Sequence, residues 1–162
     1  DVGEIVIKSP ANMVGYWGNE EATQEVFNDD GWFKSGDLGY IEDGFVFIVD
    51  RVKDLVIRGG ENIACIEVEA AIYQHPSVQE VAVFGIPEER LGETLCASIS
   101  LKPSSNLSEE ELQAFLHDKI AAYKIPSMIK IDLMELPRVA SGKFDKKELR
   151  KEFVSIEQTS NQ

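Results

Sequence analysis

Polar and apolar residues alternate along Glu4-Ile-Val-Ile-Lys8 as they do in a strand, and Ser9-Pro10 ends the pattern. Glu20 to Phe27 has the spacing of a short helix. Trp32 to Leu38, Leu38 to Ile41 and Phe45 to Asp50 read as strands, with Asp43-Gly44 as a tight turn between the last two. Asp54 to Ile57 and Asn62 to Ala64 flank Gly59-Gly60 as the arms of a hairpin. Ile66, Ala70 and Tyr73 then recur at helical spacing, so a helix is predicted over Ile66 to His75, stopped by Pro76. Val78 to Gly85 and Thr94 to Leu101 are strands by their apolar, β-branched content. Ser108-x-x-Glu111 is a capping box, and Leu112, Phe115, Leu116 and Ile120 mark the buried side of the helix it starts. Met128 to Met134 reads as another strand, and Asp145-x-x-Glu148 caps a last helix with Leu149 and Phe153 inward.

These elements divide unevenly. Residues 1–50 form a short, strand-rich block, too small to bury an independent core with ease. Residues 51–154 are expected to form a compact α+β domain, a short mixed sheet with packed helices. Residues 155–162 are polar and are expected to fray.

Composition narrows the function classes. The chain is 43% hydrophobic and 28% charged, ordinary for a globular protein. No apolar run approaches the roughly 18 to 20 residues that cross a bilayer. Asp-Val-Gly-Glu-Ile at the start has no basic segment followed by an apolar stretch, so no secretory signal is read. It also lacks an initiator Met and looks like the middle of a strand, so the chain is expected to begin inside a larger protein. Cys65 and Cys96 form no CxxC pair and are read as buried thiols of a cytoplasmic protein, not as zinc ligands. A net charge of −13 argues against nucleic acid as a partner. Residues 1–100 carry 6 basic and 19 acidic side chains, whereas residues 101–162 carry 10 of each. The last third is therefore the place where a phosphate-bearing ligand meets a high density of cations.

Four segments offer candidate chemistry, each with a plain structural alternative. Gly36-Asp37 puts a carboxylate at a strand end, either as a turn dipeptide or as an acceptor for vicinal ribose hydroxyls. Asp50-Arg51-Val52-Lys53-Asp54 is either a polar linker or a pivot whose charges exchange partners. Gly59-Gly60 is either a simple hairpin turn or a place where a ligand approaches the backbone. Lys143 stands two residues before the Asp145 cap, near the positive end of a helix, where a cation gains nothing structurally. It is either a solvated lysine or one that reaches phosphate or developing negative charge. Ser141-Gly142-Lys143 lacks the spacing of a Walker loop. No serine–histidine–acid set is readable, and His75 and His117 fall on separate predicted helices.

Singly these are weak signals, but their order is specific. Gly3-Glu-Ile-Val-Ile, Gly15-Tyr-Trp, Gly31-Trp-Phe-Lys-Ser-Gly-Asp37, Asp50-Arg-Val-Lys-Asp-Leu-Val-Ile-Arg-Gly-Gly-Glu-Asn62, Ile66-Glu-Val-Glu69 and Pro137…Ser-Gly-Lys143 follow one another. The series resembles the later core motifs of adenylate-forming enzymes, from residue 3 to about residue 153. That superfamily includes acyl- and aryl-CoA synthetases, peptide-synthetase adenylation domains and firefly luciferase.

The resemblance implies a set of roles. Asp37 would bind the ribose hydroxyls of ATP or acyl-adenylate, and Arg51 would help hold the same nucleotide. Lys53 would be the hinge, and Lys143 the catalytic lysine of adenylation. Gly59 and Gly60 would line the pantetheine tunnel of CoA once the small domain has rotated. Residues 1–50 would be the edge of the large N-terminal adenylation domain. The rest of that domain, with its phosphate loop, acyl pocket and magnesium ligand, would be the missing partner, so no metal ligand is expected in this chain. The chain alone is then expected neither to adenylate nor to bind ATP tightly. Gly-Gly-Glu-Asn-Ile is closer to acyl-CoA synthetases than to peptide-synthetase modules. Two alternatives stay open: an adenylation domain that loads a carrier protein, and a non-catalytic module that binds CoA or a partner.

Overall fold

The computed structural model describes residues 1–160. It divides the chain into two compact units that part between Lys53 and Asp54.

The first unit is a three-stranded antiparallel sheet in the order β1 (Gly3–Ile7), β2 (Phe33–Glu42), β3 (Phe45–Arg51), with helix α1 (Glu20–Val26) in the long β1–β2 connection. Asn19 caps α1 by accepting from the Ala22 amide. The two strands expected over Trp32 to Ile41 are one strand, β2, whose pairing with β3 shifts register between Leu38 and Gly39. That irregularity is the break that the sequence pattern reads as a boundary. Asp43 and Gly44 both take positive φ, 50° and 81°, as a two-residue primed turn requires. The sheet lacks a core of its own: Ile41, Phe45, Val46, Phe47 and Ile48 are all exposed.

The second unit is α+β, as expected. After a 3₁₀ turn over Val52–Asp54, its strands are β4 (Leu55–Arg58), β5 (Glu61–Ala64), β6 (Val78–Glu88), β7 (Gly92–Leu101) and β8 (Met128–Asp132). The order is β5-β4-β7-β6, and β8 pairs in parallel with β7. Helices α2 (Cys65–Ile72) and α3 (Glu109–His117) cover one face, where Val68, Ile72, Leu112 and Leu116 pack on Val81, Val83, Ala97 and Ile99. Helix α4 (Lys146–Ser160) covers the other, where Leu149 and Phe153 pack on Ala82, Phe84, Ile86 and Cys96. Both faces of β6 and β7 are therefore dry, which explains their unbroken apolar runs in place of alternation.

Most expected elements lie within two or three residues of their place, and the differences have local causes. β6 and β7 run further toward each other than expected, into the turn at residues 89–91. Ile120 lies beyond the end of α3 yet packs against the core. Ser108 and Glu111 complete the capping box of α3 in both directions. At α4 only half a box forms: Asp145 Oδ1 accepts from the Glu148 amide, but the Asp145 amide donates to the Pro137 carbonyl, so Glu148 turns to Lys151. Where a tail from Ser155 is expected, α4 continues to Ser160, and residues 161 and 162 lie outside the described residues.

β6 is a sheet edge, and three of its outward backbone groups are met by side chains. The Val81 amide donates to Tyr73 Oη at 3.3 Å and the Val83 amide to Glu69 Oε1 at 2.9 Å, while the Gly85 carbonyl accepts from Arg150 Nε at 3.2 Å. Pairing these groups internally keeps the edge from recruiting another chain.

Candidate functional site

In the first unit the structure brings Asp37 and Arg51 together. They are Cα partners across β2 and β3, and Arg51 Nε donates to Asp37 Oδ1 at 3.2 Å. Gly36, with φ 74°, turns the chain just before Asp37, and its amide donates to Glu4 Oε1 at 3.2 Å. The Arg51 amide donates to the buried Asp50 carboxylate at 2.7 Å, which fixes the end of β3. The Asp37 and Arg51 side chains stay 32% and 46% exposed, so the pair is open to solvent and contributes about 1 kcal/mol at most. Arg51 reaches only one carboxylate oxygen. A carboxylate has about four acceptor positions, so Asp37 keeps acceptors for a pair of hydroxyls.

Lys53 is exposed within the 3₁₀ turn at which the two units part. The turn places its backbone at the boundary and leaves its side chain in solvent.

Gly59 and Gly60 form the two-residue loop of the β4–β5 hairpin, closed by the Arg58–Glu61 pair. Their φ values of 59° and 88° are those of a primed turn, which a side chain at either position would strain. The Gly59 amide donates to the Leu91 carbonyl at 2.8 Å, which ties this hairpin to the turn between β6 and β7.

Lys143 lies on a small closed loop before α4. Arg138 and Phe144 form an antiparallel bridge, the Val139 amide donates to the Lys143 carbonyl at 2.9 Å, and the Gly142 amide donates to the Val139 carbonyl at 2.9 Å. Gly142 takes φ 83°, the left-handed conformation that lets the chain reverse. The Lys143 side chain is exposed, and its ammonium makes no ion pair or hydrogen bond among the described residues.

The loop is tied to the far end of β6 from the glycine turn. Glu80, near the start of β6, accepts from the Leu136 amide at 2.9 Å and pairs with Arg138. From Glu80 to Glu88 the strand runs roughly 26 Å at the usual rise per residue. The loop bearing Lys143 and the Gly59-Gly60 turn are thus anchored at opposite ends of the β6–β7 hairpin.

The match with known proteins covers this same framework. Residues 67–143 match the AMP-binding enzyme C-terminal domain family. A long-chain-fatty-acid–CoA ligase of Bacillus subtilis is 44% identical over 151 residues, 93% of this chain and 27% of the relative. ATP-bound MatB from Rhodopseudomonas palustris superposes with a TM-score of 0.88 at 37% identity, over 96% of this chain and 31% of that one. The o-succinylbenzoate CoA synthetase of Bacillus subtilis, in complex with its acyl-adenylate intermediate, gives 0.83 at 38% identity over 93% and 30%. The chain carries a domain of the AMP-binding enzyme C-terminal family, over residues 67–143. It spans about a quarter to a third of the length of these relatives.

Within this AMP-binding domain, three residues hold the framework that sequence reasoning left without a role. Glu69 on α2 accepts from both the Val83 amide and Lys146 Nζ, the latter at 3.0 Å, and so ties α2, the β6 edge and the start of α4. Glu80 and Arg138 do the equivalent for the Lys143 loop. The signal for Glu69 was its place in Ile66-Glu-Val-Glu69, but nothing in that stretch names Val83 or Lys146 as its partners. Glu80 stands in a strand amid apolar residues, and nothing local names its partner 58 positions on. Among the described residues no three His, Cys, Asp or Glu side chains gather into a metal-holding group, and no helix is long and apolar enough to cross a membrane.

Proposed function

We propose that this chain is the C-terminal portion of an ATP-dependent acyl-CoA synthetase that activates a fatty or aryl carboxylic acid. In the first half-reaction a carboxylate oxygen bonds to the α-phosphorus of ATP, and the bond to pyrophosphate breaks. In the second, the CoA sulfur gives up its proton and bonds to the acyl carbon, and AMP leaves.

The observation that carries this reading is the placement of two exposed elements at opposite ends of one rigid hairpin, Lys143 on its loop and Gly59-Gly60 on their turn. Joining two anions needs a positioned cation, and the unpaired Lys143 ammonium supplies one to the carboxylate and the α-phosphate. Attack by a thiol needs a different wall, and the side-chain-free Gly59-Gly60 backbone suits the close passage of a pantetheine arm. Rotation of the small domain about Lys53 would bring each end in turn to one nucleotide. Asp37, with open acceptors, would take the ribose hydroxyls, and Arg51 would steady the same nucleotide. The exposed Ile41, Phe45 and Val46 would be covered by the remainder of the N-terminal domain, which would also bring the magnesium ligand. On this reading the protein works in the cytoplasm, and the 162-residue chain alone is inactive.

The deciding experiment is pyrophosphate exchange by the full-length protein with a panel of carboxylic acids, followed by thioester assays with CoA and with a phosphopantetheinyl carrier. Exchange with one class of acid and transfer to CoA is the expected result. Transfer only to the carrier would replace CoA as acceptor, and no exchange with any acid would remove the synthetase reading.

A further inference from the structure

A lysine side chain has four rotatable carbons, so a catalytic ammonium is precise only if its backbone is held. Three main-chain hydrogen bonds close the loop, the third from the Asp145 amide to the Pro137 carbonyl at 2.7 Å. One side chain then grips the residues on either side of Lys143. Arg138 Nη1 donates to the Gly142 carbonyl at 2.6 Å, and its guanidinium lies 4.3 Å from the centre of the Phe144 ring. From its other edge the guanidinium donates to Glu80 Oε1 through Nη2. The other oxygen of Glu80 accepts from the Leu136 amide, just before the loop. Burial raises the Glu80 pKa, but the Leu136 amide and Arg138 outweigh it and hold the carboxyl below its ordinary value, so it is ionised at neutral pH.

We propose that Arg138 and Glu80 are positioning residues for Lys143, a clamp that fixes the loop so that the ammonium meets the adenylation site pre-organised. The inference rests on the assignment of Lys143 to adenylation. Neither clamp residue touches substrate on this account. Arg138 is suited to the task where Lys is not, because a planar fork can hold a carbonyl and a carboxylate at once and stack on a ring. Lysine in its place keeps the charge and a pair with Glu80 but loses the second and third contacts.

The test uses the full-length protein with Arg138→Lys, Glu80→Gln and Lys143→Ala, measuring adenylation, thioester formation from supplied acyl-adenylate, and amide exchange at residues 139–145. Arg138→Lys and Glu80→Gln are expected to lower kcat for adenylation roughly 10- to 100-fold, the scale of a small misplacement of a reacting group. They should leave KM for the acid and the thioester step near wild type, and speed exchange of the Val139, Gly142 and Asp145 amides. The two substitutions together should lose little more than either alone, since they open one clamp. If Lys143→Ala abolishes adenylation while both clamp variants keep it, the clamp is overturned and the lysine assignment stands. If Lys143→Ala leaves adenylation intact, the lysine assignment falls and takes the clamp with it. Equal loss of both half-reactions in the clamp variants, with unchanged loop exchange, would mark a general defect and overturn the proposal.

Discussion

Glu69 and Lys146 meet at 3.0 Å, 77 residues apart in sequence, and join the end of α2 to the start of α4. The same Glu69 oxygen accepts from the Val83 amide on the edge of β6. A single carboxylate thus satisfies a strand amide and a helix-terminal cation, with both side chains of the ion pair only 20% exposed. Glu69→Ala leaves an amide and an ammonium without their acceptor and is expected to destabilise the domain by about 1 to 3 kcal/mol. Glu69→Gln retains an acceptor for Val83 and should cost less. Urea unfolding of the two variants checks the order. Equal stability of wild type and Glu69→Ala would show that the contact contributes nothing.

Asp37 and Arg51 should affect nucleotide affinity and not folding. Their pair is solvent-open, and a pair of that kind adds little stability. Asp37→Ala in the full-length protein removes charge-assisted acceptors for two hydroxyls, so ATP is expected to bind roughly 10- to 100-fold more weakly. 2′-Deoxy-ATP should discriminate further, because its loss against ATP should shrink in the variant. Unchanged ATP binding by calorimetry would remove Asp37 from the nucleotide site.

What the sequence made legible follows from locality. Gly59-Gly60 and Asp43-Gly44 announce their turns because two successive positive φ angles leave few residue choices. The segments Val78 to Gly85 and Thr94 to Leu101 were legible as strands, and the structure adds that both of their faces are covered. The register shift at Leu38 and Gly39 hid the unity of β2, since a bulge interrupts alternation without ending the strand. The site divided in the same way. Asp37, Arg51, Lys53, the glycines and Lys143 are the proposed site residues that motif order points to. Glu69, Glu80 and Arg138 are not among them, because each draws its role from a partner 14 to 77 residues away, which no local period encodes.

Lys53 offers a test of the proposed rotation. It is exposed in a 3₁₀ turn where the two units part, so its side chain is not needed for packing. Lys53→Pro fixes φ there and restricts Val52 as well, which narrows the backbone angles a pivot can adopt. One half-reaction is expected to survive in the variant while the other falls, measured as pyrophosphate exchange against thioester formation from supplied adenylate. Wild-type rates in both would exclude a pivot at this position.

Glu80 gives the domain a pH signature whose sign is fixed. Although burial works to raise its pKa, the Leu136 amide and Arg138 lower it below that of an unfolded-chain glutamate. The folded state therefore binds this proton less readily than the unfolded state, so the carboxylate adds stability that is fully present above the unfolded pKa. That increment is lost as pH falls through the lower, folded value. Glu80→Gln has no such proton to bind. Its Tm should lie below that of wild type at neutral pH, and the gap should close as the solution is acidified through and below the carboxylate range. Thermal unfolding of both proteins across that range is the measurement. A gap that stayed constant or widened in acid would mean that the ionised carboxylate does not stabilise the fold, and that Glu80 acts at the Lys143 loop through shape alone.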